Sequence, residues 1–362
     1  MEVGDLSGWP LSSRAELQAT SRERLLAEGQ AVERCEVLHT SGSTGEPLRV
    51  YHSIADLRNR WLYFQRIFRL YGLPFLFRLA QVQYDRSSSI AAPGPRWRLA
   101  LRSRLSIYDP VDQRLELLRK ARPEAVMGYT NDLAEMAQRA RERGLEFPDL
   151  RLVVGVGERM GPAERVAIAQ GFAAPVCDSY GAVEAGNIAF ECPSGSGCYH
   201  VQADNLLLEI LADGKPAGPG AVGEVVVTPF NCRAMPLIRY RLGDLAAWGG
   251  PCPCGSALPT LQHLHGREND IITTTSGRRL TPQAVNCAFC GHQELGRYRV
   301  RQHRRGVFTL ELDAPDGPAG LRAAECLREI LDPEDQLAVR RPTPLGSERE
   351  PREHRVIIVE NR

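Results

Sequence analysis

The sequence predicts an α/β fold. It has a large N-terminal region, a β-rich stretch at about 200–265 and a small α+β unit at about 268–362. Three observations carry this. Short apolar runs ended by glycine alternate with helical periodicity between residues 125 and 157, the pattern of βαβ units. After about residue 200, apolar runs follow one another across Gly/Pro turns, which reads as neighbouring strands. The last stretch, about 95 residues, is long enough for a small core of its own.

The elements follow in order. Residues 13–28 form a first amphipathic helical segment. Glu36 to Leu38 reads as a strand entering a polar turn, and Arg49 to Tyr51 as the strand leaving it. Leu57, Trp61, Phe64 and Phe68 recur at spacings of four, three and four, an apolar helix stripe that core packing explains. Ser87 to Pro95 reads as a loop. Leu115–Lys120 is helical in pattern, Ala125–Met127 a buried strand and Asn131–Arg143 a helix capped by Asn131 or Thr130. Leu150–Val154 is a strand. Leu206–Leu211, Gly223–Thr228 and Leu237–Tyr240 are the strands of the β-rich part. The C-terminal unit should hold helices at Pro282–Phe289 and Gly320–Ile330. Its strands should lie at Tyr298–Arg301, Phe308–Leu312 and Arg355–Val359.

Composition narrows the function classes. The 362 residues carry 45 Lys+Arg against 44 Asp+Glu, so net charge gives no pull toward nucleic acid or an anionic membrane. Apolar residues make up 43% and charged residues 25%, as in globular proteins rather than disordered or fibrous ones. No apolar run is long enough to span a bilayer, and Met1 to Pro10 has no basic n-region. A cytoplasmic location is therefore expected, and its ten cysteines are better read as metal ligands or small core residues than as disulfides. Only Lys120 and Lys215 are lysines; the other basic residues are arginines. Chemistry that needs a lysine must use one of those two.

Leu38-His-Thr-Ser-Gly-Ser-Thr-Gly-Glu-Pro47 could cradle a polyphosphate, because its glycines let backbone N–H groups approach and its hydroxyls add donors. It lacks the spacing of a Walker loop. Cys192-x7-His200 and Cys252-x-Cys254 together offer three thiols and an imidazole, a set common in structural zinc sites. Cys198 competes with Cys192 for the third thiol place, and spacing alone leaves zinc and free core thiols both open. Cys287-x-x-Cys290 with His292 reads as core packing. Arg304-Arg305 and Arg340-Arg341 read as solvated surface, or as a basic mouth for a nucleotide phosphate.

The phosphate-loop segment resembles that of the adenylate-forming superfamily, the acyl-CoA synthetases and adenylation domains. Further segments match in the same order. Gly155-Val-Gly-Glu158 resembles its adenine-side segment and Asp178-Ser-Tyr-Gly-Ala-Val-Glu184 its Tyr-Gly-x-Thr-Glu segment. Arg239-Tyr-Arg-Leu-Gly-Asp-Leu245 resembles Tyr-Arg-x-Gly-Asp-Leu, and Gly266-Arg-Glu-Asn-Asp270 the Gly-Arg-x-x-Asp hinge. Ala234–Tyr240, Pro251–Gly255 and the opening Trp9-Pro10 with Ser13–Leu17 are similar to the phenylacetate-CoA ligase-like branch. That branch includes proteins described as capsule-biosynthesis adenylate ligases. The phosphate-loop segment stands nearer the start than in most relatives, which implies an abbreviated N-terminus.

The resemblance implies an enzyme with an ATP- and acid-binding domain over 1–267 and a mobile C-terminal domain over 268–362, hinged near Asp270. It implies conversion of a carboxylic acid, aryl or arylacetic, to an acyl-adenylate with release of pyrophosphate. Transfer to a thiol, that of CoA, would follow. Thr40, Ser41, Gly42, Ser43, Thr44 and Gly45 would hold the β- and γ-phosphates, and Glu184 the Mg²⁺. Ser179, Tyr180 and Gly181 would lie by the adenine, with Gly155, Gly157 and Glu158 on its other side. Asp244 would accept from the ribose hydroxyls, and Arg267 would contact ribose or phosphate. Gly277 would line the pantetheine path. The branch also implies Zn²⁺ on Cys192, His200, Cys252 and Cys254. His39, His52, Tyr129, Asn131 and Ser179 are candidates to line the acid pocket, and relatives in the branch are often dimers.

Three positions depart from the family pattern. Val183 stands where relatives usually carry Thr or Ser, and Glu46 where a lysine is frequent. Arg352 stands where relatives carry the lysine that reaches the carboxylate and α-phosphate during adenylation. Arginine keeps the charge, but its planar fork differs from a compact ammonium. Two alternatives follow: a stand-alone adenylating enzyme that passes its acyl group to an amine, hydroxyl or carrier protein, or a catalytically weakened nucleotide-binding relative.

Overall fold

The computed structural model describes residues 6, 8–40, 48–83, 89–92, 100–158, 160–267, 270–281, 284–285, 288–289, 298–312, 315–341 and 357–359. Two compact units divide the chain. The first comprises residues 1–221, 225–242 and 248–263; the second comprises 222–224, 243–247 and 264–362.

The first unit opens with helices α1 (Arg14–Ala19) and α2 (Arg22–Leu25), where the sequence suggested one continuous segment. Ser13 and Glu16 form a capping box that starts α1, and the chain leaves the helical region at Thr20. Strands β1 (Glu36–His39) and β2 (Arg49–His52) pair antiparallel and form the stems of the polar turn. Helix α3 (Ile54–Leu70) follows, begun by a second capping box from Ser53 and Asp56. Of its apolar stripe, Trp61 and Phe68 are buried and Leu57 and Phe64 half-buried.

Next come β3 (Phe77–Gln83), β4 (Ser89–Ala92), β5 (Ala100–Ser106), α4 (Val111–Ala121) and β6 (Ala125–Tyr129). After them run α5 (Thr130–Glu142), β7 (Leu152–Val156), α6 (Pro162–Phe172) and β8 (Val176–Ala182). The Ser87–Pro95 passage, expected to be a loop, contains β4, which pairs antiparallel with β5. Strands β8, β7, β6, β3 and β5 lie side by side in that order, all parallel. Both faces of this sheet are covered. Ala80, Val82, Val126 and Val153 pack under α4, α5 and α6 with Leu115, Leu133, Met136 and Phe172. On the other face, Leu79, Ala125, Leu152 and Val154 pack with Trp61, Ile67 and Phe68 of α3. Alternate residues of one strand therefore enter different cores, which is why the strands read as unbroken apolar runs.

The sheet continues into the β-rich part through β9 (Gly186–Glu191), β10 (Tyr199–Val201), β11 (Leu206–Ala212), β12 (Lys215–Pro216), β13 (Val222–Pro229), β14 (Tyr240–Trp248) and β15 (Thr260–Arg267). The order in this half is β12-β11-β13-β14-β15-β10-β9-β8, which makes a mixed sheet of thirteen strands. The Leu237–Tyr240 strand is displaced. Arg239 adopts a left-handed φ of 46° and β14 starts only at Tyr240. That turn sends the Arg239 guanidinium, 6% exposed, onto Glu209 at 2.9 Å.

The second unit has a hairpin of β16 (Ile272–Thr273) and β17 (Arg279–Leu280). It also has a four-stranded sheet in the order β20 (Gln336–Arg340), β19 (Val307–Leu312), β18 (Tyr298–Arg304), β21 (Ile357–Val359). Helix α7 (Pro318–Ile330) packs Ala323 and Leu327 on Val300, Phe308 and Leu310. The expected Pro282–Phe289 helix and the Cys287, Cys290 and His292 group fall largely outside the described residues. No helix among those described is long and apolar enough to cross a membrane.

A buried ion pair joins two of the helices on one face of the parallel sheet. Arg114 of α4 donates to Asp132 of α5 at 3.0 Å, both 2% exposed, and to Glu135 at 3.2 Å. Arg114→Met strips Asp132 of this counter-charge and should cost about 3–5 kcal/mol of stability, read by urea unfolding. The double variant Arg114→Met/Asp132→Leu should recover most of that loss, because no lone charge is then left inside.

Candidate functional site

In a parallel sheet, ligands bind beyond the carboxyl ends of the strands. Tyr129 ends β6, Gly155 and Gly157 lie at the end of β7, and Ser179–Glu184 close β8 and its turn. The topology therefore brings these sequence-predicted residues to one edge of the sheet.

The loop after β7 is stitched to the start of α5. The Thr130 hydroxyl donates to the Glu158 carbonyl at 3.3 Å, and the Asn131 N–H donates to the Glu158 carboxylate at 3.0 Å. Glu158 thereby satisfies an N-terminal amide of α5 that the helix itself cannot pair. Burial pushes its carboxyl up. Gly157 has φ 75°, and a Cβ there would fall 2.8 Å from the Tyr129 ring. Tyr129 and Asn131, suggested as acid-pocket residues, are both half-buried at this loop.

Strand β8 turns into β9 through Val183, Glu184 and Ala185. A Cβ on Gly181 would meet the Gly186 carbonyl at 2.6 Å, so glycine is required for strand pairing there. Ser179 is 4% exposed, and its hydroxyl accepts from Asn187 at 2.7 Å; its polar atom serves the strand pair. Tyr180, next along, is half-buried. Glu184 is 8% exposed and accepts from the Tyr240 hydroxyl at 3.2 Å. Glu184 is thus a nearly buried carboxylate on a turn, the kind of group a divalent cation takes as a ligand.

Sequence reasoning passed over Asp178, although it stands inside the quoted motif. It is 3% exposed and accepts from the Tyr199 hydroxyl at 2.7 Å. Burial first, and then the Glu191 charge, pushes it up to about 6, against the Tyr199 and Arg165 contributions. Glu191 is itself paired with Arg165 at 2.7 Å. Tyr240 was likewise quoted in a motif without a role. Arg60 gave no signal, being one arginine among many on an amphipathic helix.

Thr40 clamps the base of the polar turn: its N–H donates to the Leu48 carbonyl and its hydroxyl accepts from the Leu48 N–H, both at 3.1 Å. Ser41, Gly42, Ser43, Thr44, Gly45 and Glu46 lie outside the described residues, as does Arg352. His39 is exposed on β1. His52 is wholly buried, with Nε2 2.9 Å from Arg60. Burial and then the Arg60 charge hold it down at about 4.

In the second unit, Asp244 and Arg267 form an ion pair at 3.7 Å. Gly277 has φ 93° at the tip of the β16–β17 hairpin, and a Cβ there would lie 2.7 Å from the Arg305 guanidinium. The Thr275 and Ser276 N–H groups donate to Asp335 and Asp332, both at 2.8 Å.

Cys192, His200, Cys252 and Cys254 converge, with their ligand atoms all within 4.8 Å of one another. The Cys192 and Cys252 sulfurs are 3.6 Å apart, and His200 Nε2 is 3.4 Å from Cys254. Four ligands on one tetrahedral zinc stand about 3.8 Å apart, so the set fits such an ion. The Ser196 hydroxyl and the Cys254 backbone N–H pull the Cys252 thiol down to about 6, toward the thiolate that metals bind. Cys198 is a fourth thiol beside this set, 3.2 Å from Cys252.

Comparison with known proteins places this arrangement. No family model matches the chain. A phenylacetate-coenzyme A ligase of Thermus thermophilus is 27% identical over 205 residues, covering 54% of this chain and 46% of that one. The Escherichia coli K12 protein of the same name is 24% identical over 321 residues, covering 84% and 71%. Against the Thermus enzyme and two further such ligases, the chain spans about half of the relative's length. Among solved structures, a 2-hydroxyisobutyryl-CoA ligase in its postadenylation state aligns over 93% of this chain and 77% of its own. Its TM-score is 0.73 at 19% identity, a likeness of fold.

The two shifted groups of this region pull stability in opposite directions. His52 protonates at 6.5 when unfolded but only near 4 when folded, so stability falls as pH drops through that window. Asp178 ionises at 3.8 when unfolded but near 6 when folded, so stability falls as pH rises through that window. Between about pH 4 and 6 the two slopes, each about 1.4 kcal/mol per pH unit at most, oppose one another. Asp178→Asn keeps an acceptor for Tyr199 and removes one slope. Urea unfolding across this window should show the variant gaining stability with pH relative to the natural chain; parallel profiles would contradict the Asp178 assignment.

Proposed function

Because the chain belongs to the adenylate-forming superfamily, we propose that it activates a carboxylic acid with ATP. The product is an acyl-adenylate, and pyrophosphate is released. The observation that carries this reading is the gathering of Tyr129, Gly157, Tyr180 and Glu184 at the carboxyl ends of β6, β7 and β8. In the reaction a carboxylate oxygen attacks the α-phosphorus, and the bond to the β-phosphate oxygen breaks. That step needs fixed charge and donors around phosphate more than proton transfer.

Ser41, Gly42, Ser43, Thr44 and Gly45 hold the β- and γ-phosphates. Glu184 holds the nucleotide's Mg²⁺, which neutralises phosphate charge. Tyr180 lies against adenine, Asp244 takes the ribose hydroxyls and Arg267 orients Asp244 or contacts phosphate. Arg352 supplies the cation at the reacting carboxylate. The acid is aryl or arylacetic, as the names of the matched relatives favour, and the acceptor is the thiol of CoA. The C-terminal unit reorients near Asp270 between the two half-reactions, and Gly277 then lines the pantetheine path. Zn²⁺ on Cys192, His200, Cys252 and Cys254 is structural, since the protein fills all four positions.

Carboxylate-dependent ATP–pyrophosphate exchange over aryl, arylacetic and aliphatic acids tests the first half-reaction. The natural chain should exchange with an aryl or arylacetic acid, and Glu184→Gln should lower the rate on the order of a hundredfold. Arg352→Lys run beside it reads what arginine contributes. Exchange by the lysine variant alone would mark a chain whose adenylation is weakened. ATP binding without exchange in either would sink the reading. Thioester formation on adding CoA, against acyl transfer to hydroxylamine alone, separates a CoA ligase from a stand-alone adenylating enzyme.

Zinc content is independent of turnover. The purified chain should hold stoichiometric zinc by atomic emission, and Cys254→Ser should lose it. A metal-free natural chain that keeps its melting temperature in chelator would make the four residues ordinary core.

A further inference from the structure

The turn that carries Glu184 is fastened from helix α3. Arg60 Nη1 donates to the Val183 carbonyl at 2.6 Å, and Nη2 reaches the Ala182 carbonyl at 3.4 Å. The same Nη1 stands 2.9 Å from His52 Nε2, which itself lies 3.2 Å from the Val183 carbonyl. Gly186, with φ 78°, lets the arginine pass: a Cβ there would sit 3.3 Å from Arg60 Cγ and 3.4 Å from Nε. The next carbonyl, that of Glu184, accepts from the Cys232 thiol at 3.3 Å. Asp56 holds the neighbouring segment, accepting from the Arg233 and Ala234 N–H groups at 2.9 and 3.1 Å. Successive carbonyls of a single turn are thus taken up by side chains from other elements, and the carboxylate between them is aimed by Tyr240.

We propose that Arg60 is a positioning residue for the nucleotide: it acts through the peptides of Ala182 and Val183 to hold Glu184 where a nucleotide-bound divalent cation meets it. His52 is its partner. With Arg60 donating to Nε2, the wholly buried His52 is neutral and braces the fork. This rests on the reading of Glu184 as the Mg²⁺ carboxylate. A planar two-pronged donor suits two adjacent carbonyls, whereas a lysine ammonium is a single point. Such outlying support governs how well a ligating group is held in place.

The test is nucleotide binding, which needs no turnover. ATP affinity of the natural chain, Arg60→Met, Arg60→Lys, Glu184→Gln and Arg60→Met/Glu184→Gln is measured by calorimetry, in Mg²⁺ and in EDTA. Arg60→Met should weaken Mg·ATP binding on the order of tenfold and leave metal-free ATP within twofold. Arg60→Lys should fall between the two. Because Arg60 acts through Glu184, its removal from the Glu184→Gln background should cost less than twofold.

An equal loss with and without Mg²⁺, or full additivity with Glu184→Gln, would overturn the proposal. Either would make Arg60 a general support or a direct phosphate contact. If Arg60→Met does not fold, Arg60→Lys decides: natural affinity in Mg²⁺ overturns it. Natural Mg·ATP binding that is unchanged in every Arg60 variant removes this inference alone. No ATP binding by the natural chain removes the reading of Glu184 and this one with it.

Discussion

A backbone carbonyl withdrawn from water needs a donor, and in the turn between β8 and β9 the carbonyls of Ala182, Val183 and Glu184 each meet a side-chain donor. Arg60 and Cys232 donate to them, from α3 and from the segment before β14, while His52, from the stem of the polar turn, accepts from Arg60 beside them. This one requirement places much of the larger unit. It fixes where α3 crosses the sheet, why Gly186 cannot carry a side chain and why a histidine is buried neutral beside an arginine. It also leaves Glu184 on a rigid mount. In the role proposed for Glu184, such rigidity settles its geometry before a ligand arrives.

The same economy appears at the other end of the site. Glu158 completes the α5 N-terminus from across the sheet edge, which holds Gly157 and the Tyr129 ring together. Asp178, on the strand that carries Tyr180, takes its hydrogen bond from Tyr199, and Glu191 on β9 takes its own from Arg165. Residues that look like ligands in a motif thus divide into two kinds. Gly181, Ser179 and Glu158 build the edge, while Tyr180 and Glu184 stand on it.

Much of this was legible in the sequence. The βαβ alternation was readable because each parallel strand feeds two cores and so stays apolar throughout, as Leu152–Val156 shows. The Cys/His set was readable as residue types, and folding brought together its two halves. Other parts were not readable. Strand β3 hides in an apolar run that begins at the end of α3, and periodicity cannot mark where helix gives way to strand. Helix α6 has the signals of Gly161 and Pro162 at its start, but its apolar residues do not gather on one face. The strand expected at Leu237 fails because the buried Arg239–Glu209 pair demands a left-handed turn that no local pattern announces. Arg60 had no signal at all, since its role comes from carbonyls more than a hundred residues away.

Strand β10 is three residues long, too short for its ladder alone to fix its alignment with β9 and β15. Consecutive residues of a strand face opposite sides of the sheet. Tyr199 therefore reaches Asp178 on one side while His200 reaches the thiols on the other. A slip by a single residue would present the phenol to the cysteines and the imidazole to the carboxyl. The strand is keyed like a two-sided lock, in which neither contact can form correctly unless the other has. The cysteine cluster and the register of β10 are thereby coupled.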